Sequence, residues 1–576
     1  MATTNQELAR LFDRIADAME LKGETGFRVL AYRRASRALE DIAEDVAELA
    51  DAGRLQDVPG IGRGIAKKIK EYLATGRMKE YDKALEGIPA ELFALLDLQG
   101  VGPKTVKLVH DKLKVDNIDD LKQALDSGAV AGLPGMGEKK SDNIRRSIRL
   151  HQLAGERMLL NEALELADSI VGHVRSESLA GRATAAGSLR RGRESVGDID
   201  VLVASRKPGP VIERFTSHPA VRQVLGAGRT KSSALFETPG GLRQADLRVV
   251  KPDEFGAALQ YFTGSKDHNV RLRGLARDKG LKVSEYGVFK GKKKIAARTE
   301  KDVYAAVGLR YVEPELREDR GEIEAALTGD LPRLVTARDI RSDLHMHTRR
   351  SDGHDTREAM VKACRERGYT HMAIAEHSVS ASYAGGLTPD QLRRHCDWVD
   401  RSNEKTRGFR VLKAVESDIR TAGGLDYSDR LLARLDLVIA SVHQGFRKNV
   451  TERMCDALEH PLVHVVAHPT GRLIGRREGY DVDLERVIET AARHRRILEI
   501  NAFYGRLDLN DVWARKAKNA GVKLAINTDA HAVADLDWMR YGVLTARRAW
   551  LEKKDVVNCL TCGQLLWLLK KMRGKA

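Results

Sequence analysis

The C-terminal part of the chain contains a series of short apolar segments, each of which ends in a polar residue. The segments lie at 343–347, 372–377, 411–416, 437–443, 463–468, 497–501 and 524–531. Helical stretches separate them. Seven strands that alternate with helices predict a β/α barrel, whose functional side chains lie at the carboxyl ends of the strands.

The polar residues at these strand ends are metal-binding types. Nine residues at these ends, or shortly after the first of them, can offer nitrogen or oxygen ligands: His345, His347, Asp352, His377, Glu416, His443, His468, Asp529 and His531. One histidine at a strand end is usually structural, but this many donors on one rim are enough for three metal ions. Because the donors are imidazoles and carboxylates without cysteine, zinc, manganese and iron all fit. Such a cluster activates water and neutralises phosphate charge, which predicts phosphoester hydrolysis.

A second pattern occurs three times near the N-terminus. Each copy is an apolar residue, then Gly-apolar-Gly, then a basic helix, at 58–62, 98–102 and 133–137. The glycines permit a hairpin whose backbone N–H groups bind phosphate without reading bases. The candidate DNA-binding residues are Gly60, Gly62, Gly64, Lys68, Gly100, Gly102, Lys104, Gly135 and Gly137. Ordinary helix-loop-helix packing is the alternative.

The charge of the chain suits a polyanionic partner. Lys and Arg number 98 and Asp and Glu 82, which gives a net charge of +16. A soluble enzyme with a basic surface would have the same balance, so charge alone does not decide. No apolar run approaches the ~18 residues of a membrane span, and residues 1–10 lack the apolar core of a signal peptide. We therefore expect a cytoplasmic protein.

Three aspartates predict a nucleotidyl-transfer site. Asp198 and Asp200 are two residues apart at a strand start, so they share one face, and Asp246 lies in a further predicted strand at 242–250. Carboxylates this close repel each other unless divalent cations lie between them. Two such ions, Mg²⁺ or Mn²⁺, can activate a 3′-hydroxyl and stabilise a leaving pyrophosphate. A hairpin with surface Asp pairs is the alternative.

Residues on both sides of these acids are candidates for holding a nucleotide. Upstream, Ser188 and Arg191 lie on a glycine-rich turn that is placed to hold a triphosphate. Downstream, Tyr261 and Phe262 precede a glycine turn. An aromatic pair of this kind can stack on a nucleotide or simply pack a helix.

Residues 1–315 resemble the family X DNA polymerases of the polymerase beta type. The resemblance lies in the order of the motifs: the hairpins, the Gly-Ser turn, the Asp-x-Asp, the later aspartate and the Tyr-Phe-Thr-Gly-Ser at 261–265. The resemblance implies that Asp198, Asp200 and Asp246 are catalytic and hold two metal ions. It implies nucleotide contacts from Gly187, Ser188, Arg191, Gly197, Tyr261, Phe262, Gly264, Asn269 and Arg273. The implied substrates are dNTPs and gapped or primer–template duplex DNA.

The resemblance gives these nucleotide contacts separate roles. Ser188, Arg191 and Gly197 would contact the triphosphate, and the aromatic pair at 261–262 would line the sugar pocket. Asn269 would touch the minor-groove edge of the incoming base. Arg273 would touch the template.

The first hairpin departs from the family in ways that bear on Lys68. Lys68 matches the lysine that forms a Schiff base with a 5′-deoxyribose phosphate, so it is a possible lyase nucleophile. Arg28, Gly64 and Glu80 replace lysines that grip the 5′-phosphate in the animal enzymes, and Glu80 has the wrong charge. A plain phosphate contact for Lys68 is therefore favoured over lyase chemistry. Gln244 also replaces an arginine that is often found beside the third acid.

Residues 341–570 resemble the PHP (polymerase and histidinol phosphatase) domain. The resemblance implies that the strand-end donors are all metal ligands and that the fold is a distorted (β/α)7 barrel. Glu376 stands where the family more often has Asp. It is expected to act outside the ligand set.

A polymerase half followed by a PHP half is typical of bacterial family X DNA polymerases. The expected fold is multidomain, with an α-helical helix-hairpin-helix region, an α+β nucleotidyltransferase palm with a thumb, and the barrel. The expected domains are 1–85 (lyase-like), 86–150 (fingers), 151–252 (palm), 253–315 (thumb), 316–340 (linker) and 341–576 (PHP).

The expected function is gap filling in base excision repair by a monomer that associates with the nucleoid, with a metal-dependent 3′→5′ exonuclease in the PHP domain. Three alternatives stay open. The PHP domain could act mainly as a 3′-phosphatase or an abasic-site endonuclease. The first half could be a template-independent nucleotidyltransferase. A non-enzymatic DNA-binding scaffold fits the charge but not the complete sets of acids and ligands.

Overall fold

The computed structural model describes residues 4–574 except positions 25, 42–45, 59, 99–100, 139, 143, 146–147, 149–156 and 176–180. Contacts divide the chain into two compact units. The first holds 1–156 with 239–243 and 319–321, and the second holds 157–238, 244–318 and 322–576. Nowhere in the described part of the chain does a helix have the length and apolar character that crossing a bilayer requires.

The first unit is built from helices. They are Thr4–Leu21, Phe27–Asp41, Val46–Asp51, Arg63–Thr75, Lys79–Leu85, Pro103–Leu113 and Ile118–Asp126, with 3₁₀ turns at Leu55–Asp57 and Ala90–Asp97. Two apolar clusters form its core, the first around Phe12 and Ile69 and the second around Leu95 and Val106. The predicted α-helical N-terminal region is confirmed.

The second unit begins with the palm, a mixed five-stranded sheet. The sheet contains β2 (Arg182–Ala185), β4 (Ile199–Ala204), β5 (Val221–Ala227), β6 (Lys231–Thr238) and β7 (Gly241–Val250). A separate two-stranded sheet contains β1 (Met158–Leu159) and β3 (Ser195–Val196). The sheet order is β2-β4-β7-β6-β5, and β1 pairs with β3. The helices Leu160–Arg175 and Pro208–Thr216 pack with alternate residues of β4 such as Val201. The residues between them, such as Leu202, pack against the helix Phe255–Thr263.

The thumb combines helices with a three-stranded antiparallel sheet. Its elements are the helices Lys266–Asp278, Glu300–Val307 and Glu322–Thr328 and the strands β8 (Leu281–Ser284), β9 (Gly287–Lys290) and β10 (Lys293–Ala296). Part of the expected linker at 316–340 belongs to this core, because Ile323, Ala326 and Leu334 are buried with Tyr304. The short helix Glu322–Thr328 in that segment packs its apolar residues into the thumb cluster.

The C-terminal domain is a curled parallel sheet wrapped by helices. Its strands are β11 (His371–Ile374), β12 (Arg410–Asp418), β13 (Leu437–Ser441), β14 (Val465–Val466), β15 (Ile497–Asn501) and β16 (Lys523–Asn527), in that spatial order. The helices are Arg357–Glu366, Pro389–Lys405, Asp429–Leu432, Val450–Glu459, Leu484–Arg493, Asp511–Asn519, Met539–Arg548 and Cys562–Met572. Each strand is buried on both faces, as expected for a parallel β/α fold.

The predicted first strand of the barrel, 343–347, closes the curled sheet. On one side Ala373 N donates to Asp343 O at 3.1 Å, next to β11. On the other side His347 N donates to Ala530 O at 2.8 Å, just after β16. The segment forms only an isolated bridge rather than a regular strand. The predicted distorted barrel is confirmed as a curled parallel sheet of six regular strands, with this bridged segment in the place of the seventh.

Candidate active sites

The palm brings two of the predicted acids directly opposite each other. Asp200 on β4 is the register partner of Asp246 on β7 in a parallel pairing, and Asp198 immediately precedes β4. Burial, followed by the charges of Asp198 and Asp246, raises the pKa of Asp200 to about 7. Burial and Asp246 also raise the pKa of Asp198. The three carboxylates therefore form one electrostatically coupled group.

Two neighbouring side chains hold Asp246. The sequence analysis singled out Gln244, which replaces an arginine of the family, but it did not identify Ser233. Gln244 Nε2 donates to Asp246 Oδ2 at 2.9 Å, and the Ser233 hydroxyl donates to Oδ1. Gln244 lies two residues away on the same strand face, so sequence reasoning could find it. Ser233 lies on β6, and the sequence contains no signal of that pairing.

The glycine-rich turn lies against the acids. Gly187 has φ of +59°, and a Cβ there would collide with the carboxylate of Asp200. Ala186 N donates to Asp200 O at 2.8 Å, which fixes the turn to β4. Only glycine fits this position, because both the backbone conformation and the space exclude a side chain.

Arg191 reaches from this turn to the helix that carries the aromatic pair. Its Nη1 donates to Thr263 O at 2.5 Å, beside Gly264, and its Nε donates to Glu318 Oε1 at 3.1 Å. Ser188 is half-buried on the same turn, whereas Gly197 is exposed just before Asp198.

The remaining nucleotide candidates divide into two groups. Phe262 lines a cavity of about 80 Å³ together with Asp200, Asp246 and Arg248. The rings of Tyr261 and Phe262 pack edge to face, with their centroids 5.2 Å apart. Asn269 is turned inward, since Gln260 Nε2 donates to its Oδ1 at 2.7 Å and its Nδ2 donates to Tyr261 O at 2.8 Å. Arg273 is exposed on the next turn, and its Nε donates to Asn269 O at 3.2 Å.

The nine predicted donors of the barrel converge on one rim. Three groups have ligand atoms within 4.8 Å of one another: His347, Asp352, His377 and His531; His345, His347 and Asp529; and His377, Glu416 and His443. The palm aspartates do not form such a group among the residues that the structure describes.

Glu416 lies at the centre of the barrel cluster. Its Oε1 is 3.1 Å from Nε2 of His468 and 3.4 Å from Nε2 of His443, and its Oε2 is 2.7 Å from Nδ1 of His377. Burial alone would raise the pKa of Glu416, but His443 and His377 hold it well below its ordinary value. Glu416 is therefore a charged carboxylate shared among several imidazoles.

The pKa values of two histidines at this rim shift in opposite directions. Burial and then the neighbouring His377 lower the pKa of His347 to about 3, so its imidazole is neutral. Burial would also lower the pKa of His345, but Glu499 and Glu416 raise it well above its ordinary value. The Nε2 atoms of His345 and His347 are 3.3 Å apart.

The backbone is unusual at two of these positions. His468 has φ of +30° and Asp529 has φ of +56°, a region that residues other than glycine seldom occupy. Nδ1 of His468 and Nδ1 of His347 are buried without a hydrogen-bond partner. Strain and unpaired donors at one rim are typical of a functional site, and the donor set fits divalent metal ions.

The sequence analysis did not identify two carboxylates that contact histidines of this cluster. Glu499 Oε1 is 2.8 Å from Nδ1 of His345, and its Oε2 accepts from His468 N at 3.0 Å. Asp418 Oδ1 is 2.6 Å from Nδ1 of His443. These acids fix the orientation of the histidines.

Glu376 lies outside the cluster. It accepts hydrogen bonds from Thr348 N at 3.1 Å and from Ser351 Oγ at 2.6 Å. It therefore holds the turn that leads to Asp352.

In the first unit, the predicted hairpin glycines occupy turns and helix starts. Gly60 has φ of +104°, and a Cβ there would lie 3.2 Å from the carbonyl oxygen of Arg34. Gly62 and Gly102 are the N-cap residues of the helices Arg63–Thr75 and Pro103–Leu113.

The other predicted DNA contacts in this unit fall at similar positions. Gly135 and Gly137 have positive φ, and Gly64 and Lys104 lie in first helical turns. Lys68 Nζ lies 5.7 Å from the centroid of the Tyr32 ring. Gly100 lies outside the described residues.

The geometry defines a chain with a palm of the nucleotidyltransferase type and a barrel of the metallophosphoesterase type. Known families match four parts of the chain. They are the Helix-hairpin-helix domain at 3–78, the SAM-like Helix-hairpin-helix tandem at 93–150, the DNA polymerase beta thumb at 258–318 and the PHP domain at 343–502.

Curated relatives cover the whole chain or its parts. The "DNA polymerase/3′-5′ exonuclease PolX" of Bacillus subtilis is 38% identical over 98% of this chain and 99% of its own length. DNA polymerase lambda of the rat is 27% identical over 54% of this chain and 56% of its own. A "Probable phosphatase" of Caldanaerobacter subterraneus is 33% identical over 23% of this chain and 55% of its own. The chain belongs to the family X DNA polymerases that carry a C-terminal PHP domain, and the predicted membership is confirmed.

Proposed function

We propose that this chain fills short gaps in DNA and that its barrel removes nucleotides from 3′ ends. The observation that carries the first activity is the facing pair of Asp200 and Asp246 beside the cavity lined by Phe262. The second activity rests on the nine-donor rim around Glu416. The whole-chain likeness to the polymerase and exonuclease of Bacillus subtilis supports both.

In the palm, Asp198, Asp200 and Asp246 would hold two divalent ions, Mg²⁺ or Mn²⁺. The raised pKa of Asp200 fits this role, because cations relieve repulsion among neighbouring carboxylates. When bound, the ions would make the primer 3′-hydroxyl a better nucleophile and neutralise the charge of the leaving pyrophosphate.

The surrounding residues would orient the reactants. Gln244 and Ser233 fix the carboxylate of Asp246, which would meet the primer end. Arg191 and Ser188 would bind the triphosphate, with Gly187 and Gly197 leaving room for it. Tyr261, Phe262 and Gly264 would form the sugar pocket, Asn269 would meet the base edge, and Arg273 would contact the template.

In the barrel, the nine donors would hold up to three ions of zinc, manganese or iron. When bound, the ions would supply a hydroxide nucleophile and neutralise the scissile phosphate. Glu416 would be a central ligand of this set, since it lies among His377, His443 and His468. Glu499 and Asp418 would keep the imidazoles turned toward the ions.

An exposed aromatic residue favours a polynucleotide substrate at the barrel. Tyr383 is 71% exposed on the 3₁₀ turn Ser382–Ala384. Two hydrogen bonds hold this turn beside ligand residues: Leu387 N donates to His377 O at 2.8 Å, and Gln444 Nε2 donates to Ser380 O at 2.6 Å. An aromatic ring so placed can stack on a terminal base.

The helix-hairpin-helix region would hold duplex DNA through backbone N–H groups and basic side chains. Lys68 would be a phosphate contact there rather than a lyase nucleophile. We place the protein in base excision repair, as a cytoplasmic monomer that works at the nucleoid.

A second candidate function for the barrel is 3′-phosphatase. It is favoured by the likeness of this region to a "Probable phosphatase". Comparing 3′-phosphate, abasic and 3′-hydroxyl ends on one duplex separates the alternatives. Exonuclease predicts release of nucleotides from the 3′-hydroxyl end, whereas a phosphatase would release only inorganic phosphate.

The first experiment is a gel with an end-labelled primer on a one-nucleotide-gapped duplex and Mn²⁺, with and without dNTPs. Extension with dNTPs and shortening without them supports both sites. Asp246→Asn should abolish extension and preserve shortening. The double variant with His345→Ala and His347→Ala should abolish shortening and preserve extension. Loss of both activities in either variant would contradict two independent sites.

A further inference from the structure

An arginine of the barrel domain, Arg548, reaches the nucleotide turn of the palm. Arg548, at the end of the helix Met539–Arg548, is 4% exposed. Its Nη1 donates to Arg191 O at 2.8 Å and to Glu318 Oε1 at 2.9 Å. Its Nη2 donates to Asp511 Oδ2 at 2.9 Å. Both ends of the guanidinium are thus fixed by partly buried partners.

The partner of Arg548 is also the partner of Arg191. Glu318 Oε1 accepts from Arg191 Nε at 3.1 Å. Burial would raise the pKa of Glu318, but Arg548 and Arg191 together lower it to about 2, so this carboxylate is charged. Arg548 therefore contacts Arg191 twice, directly at its backbone carbonyl and through Glu318 at its side chain.

Further contacts from the barrel hold the same turn. Arg472 forms two bonds with Glu194, at 2.6 and 3.3 Å. Gly192, with φ of +67°, lies so close to Leu544 that a Cβ would be 3.4 Å from that side chain. The turn that follows the Gly-Ser motif is therefore supported by the barrel domain over residues 191–194.

We propose that Arg548 is a positioning residue of the polymerase site, so that the barrel domain contributes to dNTP binding. Its bonds to Arg191 O and Glu318 set the place from which the Arg191 guanidinium meets a triphosphate. The planar fork of arginine makes several bonds at once, which a lysine cannot reproduce. The inference rests on the proposed function, in which Arg191 contacts the triphosphate.

The test is steady-state gap filling by the full chain on a one-nucleotide-gapped duplex with varied dNTP. Arg548→Met should raise the KM for dNTP about tenfold and leave kcat within about twofold, because misplacement of a binding group weakens ground-state and transition-state binding alike. Arg548→Lys should fall between this variant and the parent. Asp511→Asn, which loosens the far end of the fork, should raise KM less.

Arg547→Met is the matched control. Arg547 lies on the same helix and pairs with Glu315 at 2.7 Å. Within the described part of the chain its hydrogen bonds go to Glu315 and to Val335 O, not to the turn at 191–194. It should leave the KM for dNTP unchanged. Shortening of 3′ ends without dNTPs should be unchanged in all these variants, and thermal unfolding should verify that each is folded.

Two results overturn the inference. One is an unchanged KM in folded Arg548→Met; the other is an equal rise in Arg547→Met, which would mark general loosening of the domains. If Arg548→Met does not fold, the KM values for dNTP of Arg548→Lys and Asp511→Asn, compared with that of Arg547→Met, test the inference instead. Failure of the proposed function is distinct, since the parent chain would then incorporate no nucleotide at all.

Discussion

Asp200 and Asp246 face each other across two parallel strands, and both line the same small cavity. Asp198 adds a third carboxylate to the group. Burial and these two neighbours raise the pKa of Asp200 to about 7. The arrangement suits cation binding, but in the absence of a cation it costs stability.

We predict that Asp200→Asn stabilises the metal-free protein at pH 8 while it abolishes gap filling. Because the folded pKa of Asp200 lies above its unfolded value, the charged form is penalised in the folded state at high pH. The penalty disappears as the pH falls from about 7 toward 4. The melting temperature in EDTA should therefore rise in the variant at pH 8, and the gain should shrink by pH 5.

Magnesium and a surface variant are the controls for this prediction. Mg²⁺ should raise the melting temperature of the parent at pH 8 and have a smaller effect on Asp200→Asn. Asp278→Asn, whose side chain is 70% exposed, should shift the melting temperature little at any pH. A variant that is less stable than the parent at pH 8 would contradict the proposed charge repulsion.

Gly187→Ala should damage gap filling and spare the barrel. The new methyl group would collide with the Asp200 carboxylate, and φ of +59° is unfavourable for alanine. We expect a cost of about 1–3 kcal/mol and at least about a tenfold loss of gap filling. Gly172→Ala, on the helix Leu160–Arg175 with open space at the Cβ, is the control and should retain activity. Full activity of Gly187→Ala would show that the turn adapts easily.

Tyr383→Ala should weaken the binding of DNA ends at the barrel. Stacking of a base on an aromatic ring contributes about 1–3 kcal/mol, so the KM for single-stranded DNA should rise about tenfold. Hydrolysis of p-nitrophenyl phosphate should be unchanged, because it needs the metal rim but no base stacking. Tyr383→Phe keeps the ring and should behave as the parent. An equal loss with both substrates would place Tyr383 in the metal site instead.

Local periodicity explains how much of the two sites the sequence could predict. Residues two apart on a strand share a face, so Asp198 with Asp200 and His345 with His347 could be recognised from spacing alone. The same rule would have found Asp418, two residues after Glu416. The predicted segment ends at Glu416, whereas the strand continues to Asp418. Glu499 is similar, since it precedes Asn501 by two in an apolar strand.

Contacts between distant segments could not be predicted in this way. Ser233 meets Asp246 through a neighbouring strand, and Arg548 meets Arg191 across more than 350 residues of chain. Their side chains carry no spacing signal. The barrel was predictable because its repeated strand–helix pattern is local, whereas the support of the palm by the barrel depends on tertiary packing.

The support of His345 by Glu499 leads to a prediction about metal binding. Glu499 Oε1 is 2.8 Å from His345 Nδ1, and Oε2 accepts from His468 N at 3.0 Å. Glu499→Gln keeps the shape but removes the charge that orients the imidazole and raises its basicity. We expect metal affinity at the barrel to fall about 10–100-fold, and the shortening of 3′ ends to fall with it at low metal concentration.

Mn²⁺ titration of this variant, followed by calorimetry and by shortening of an end-labelled primer, measures both effects. Added Mn²⁺ should restore much of the lost shortening, because the ligands themselves remain. Gap filling at saturating Mg²⁺ should be unchanged. Glu489→Gln, at an exposed position on the helix Leu484–Arg493, is the control and should titrate as the parent. A loss that no Mn²⁺ concentration repairs would mean that Glu499 acts in the reaction itself rather than by orienting His345.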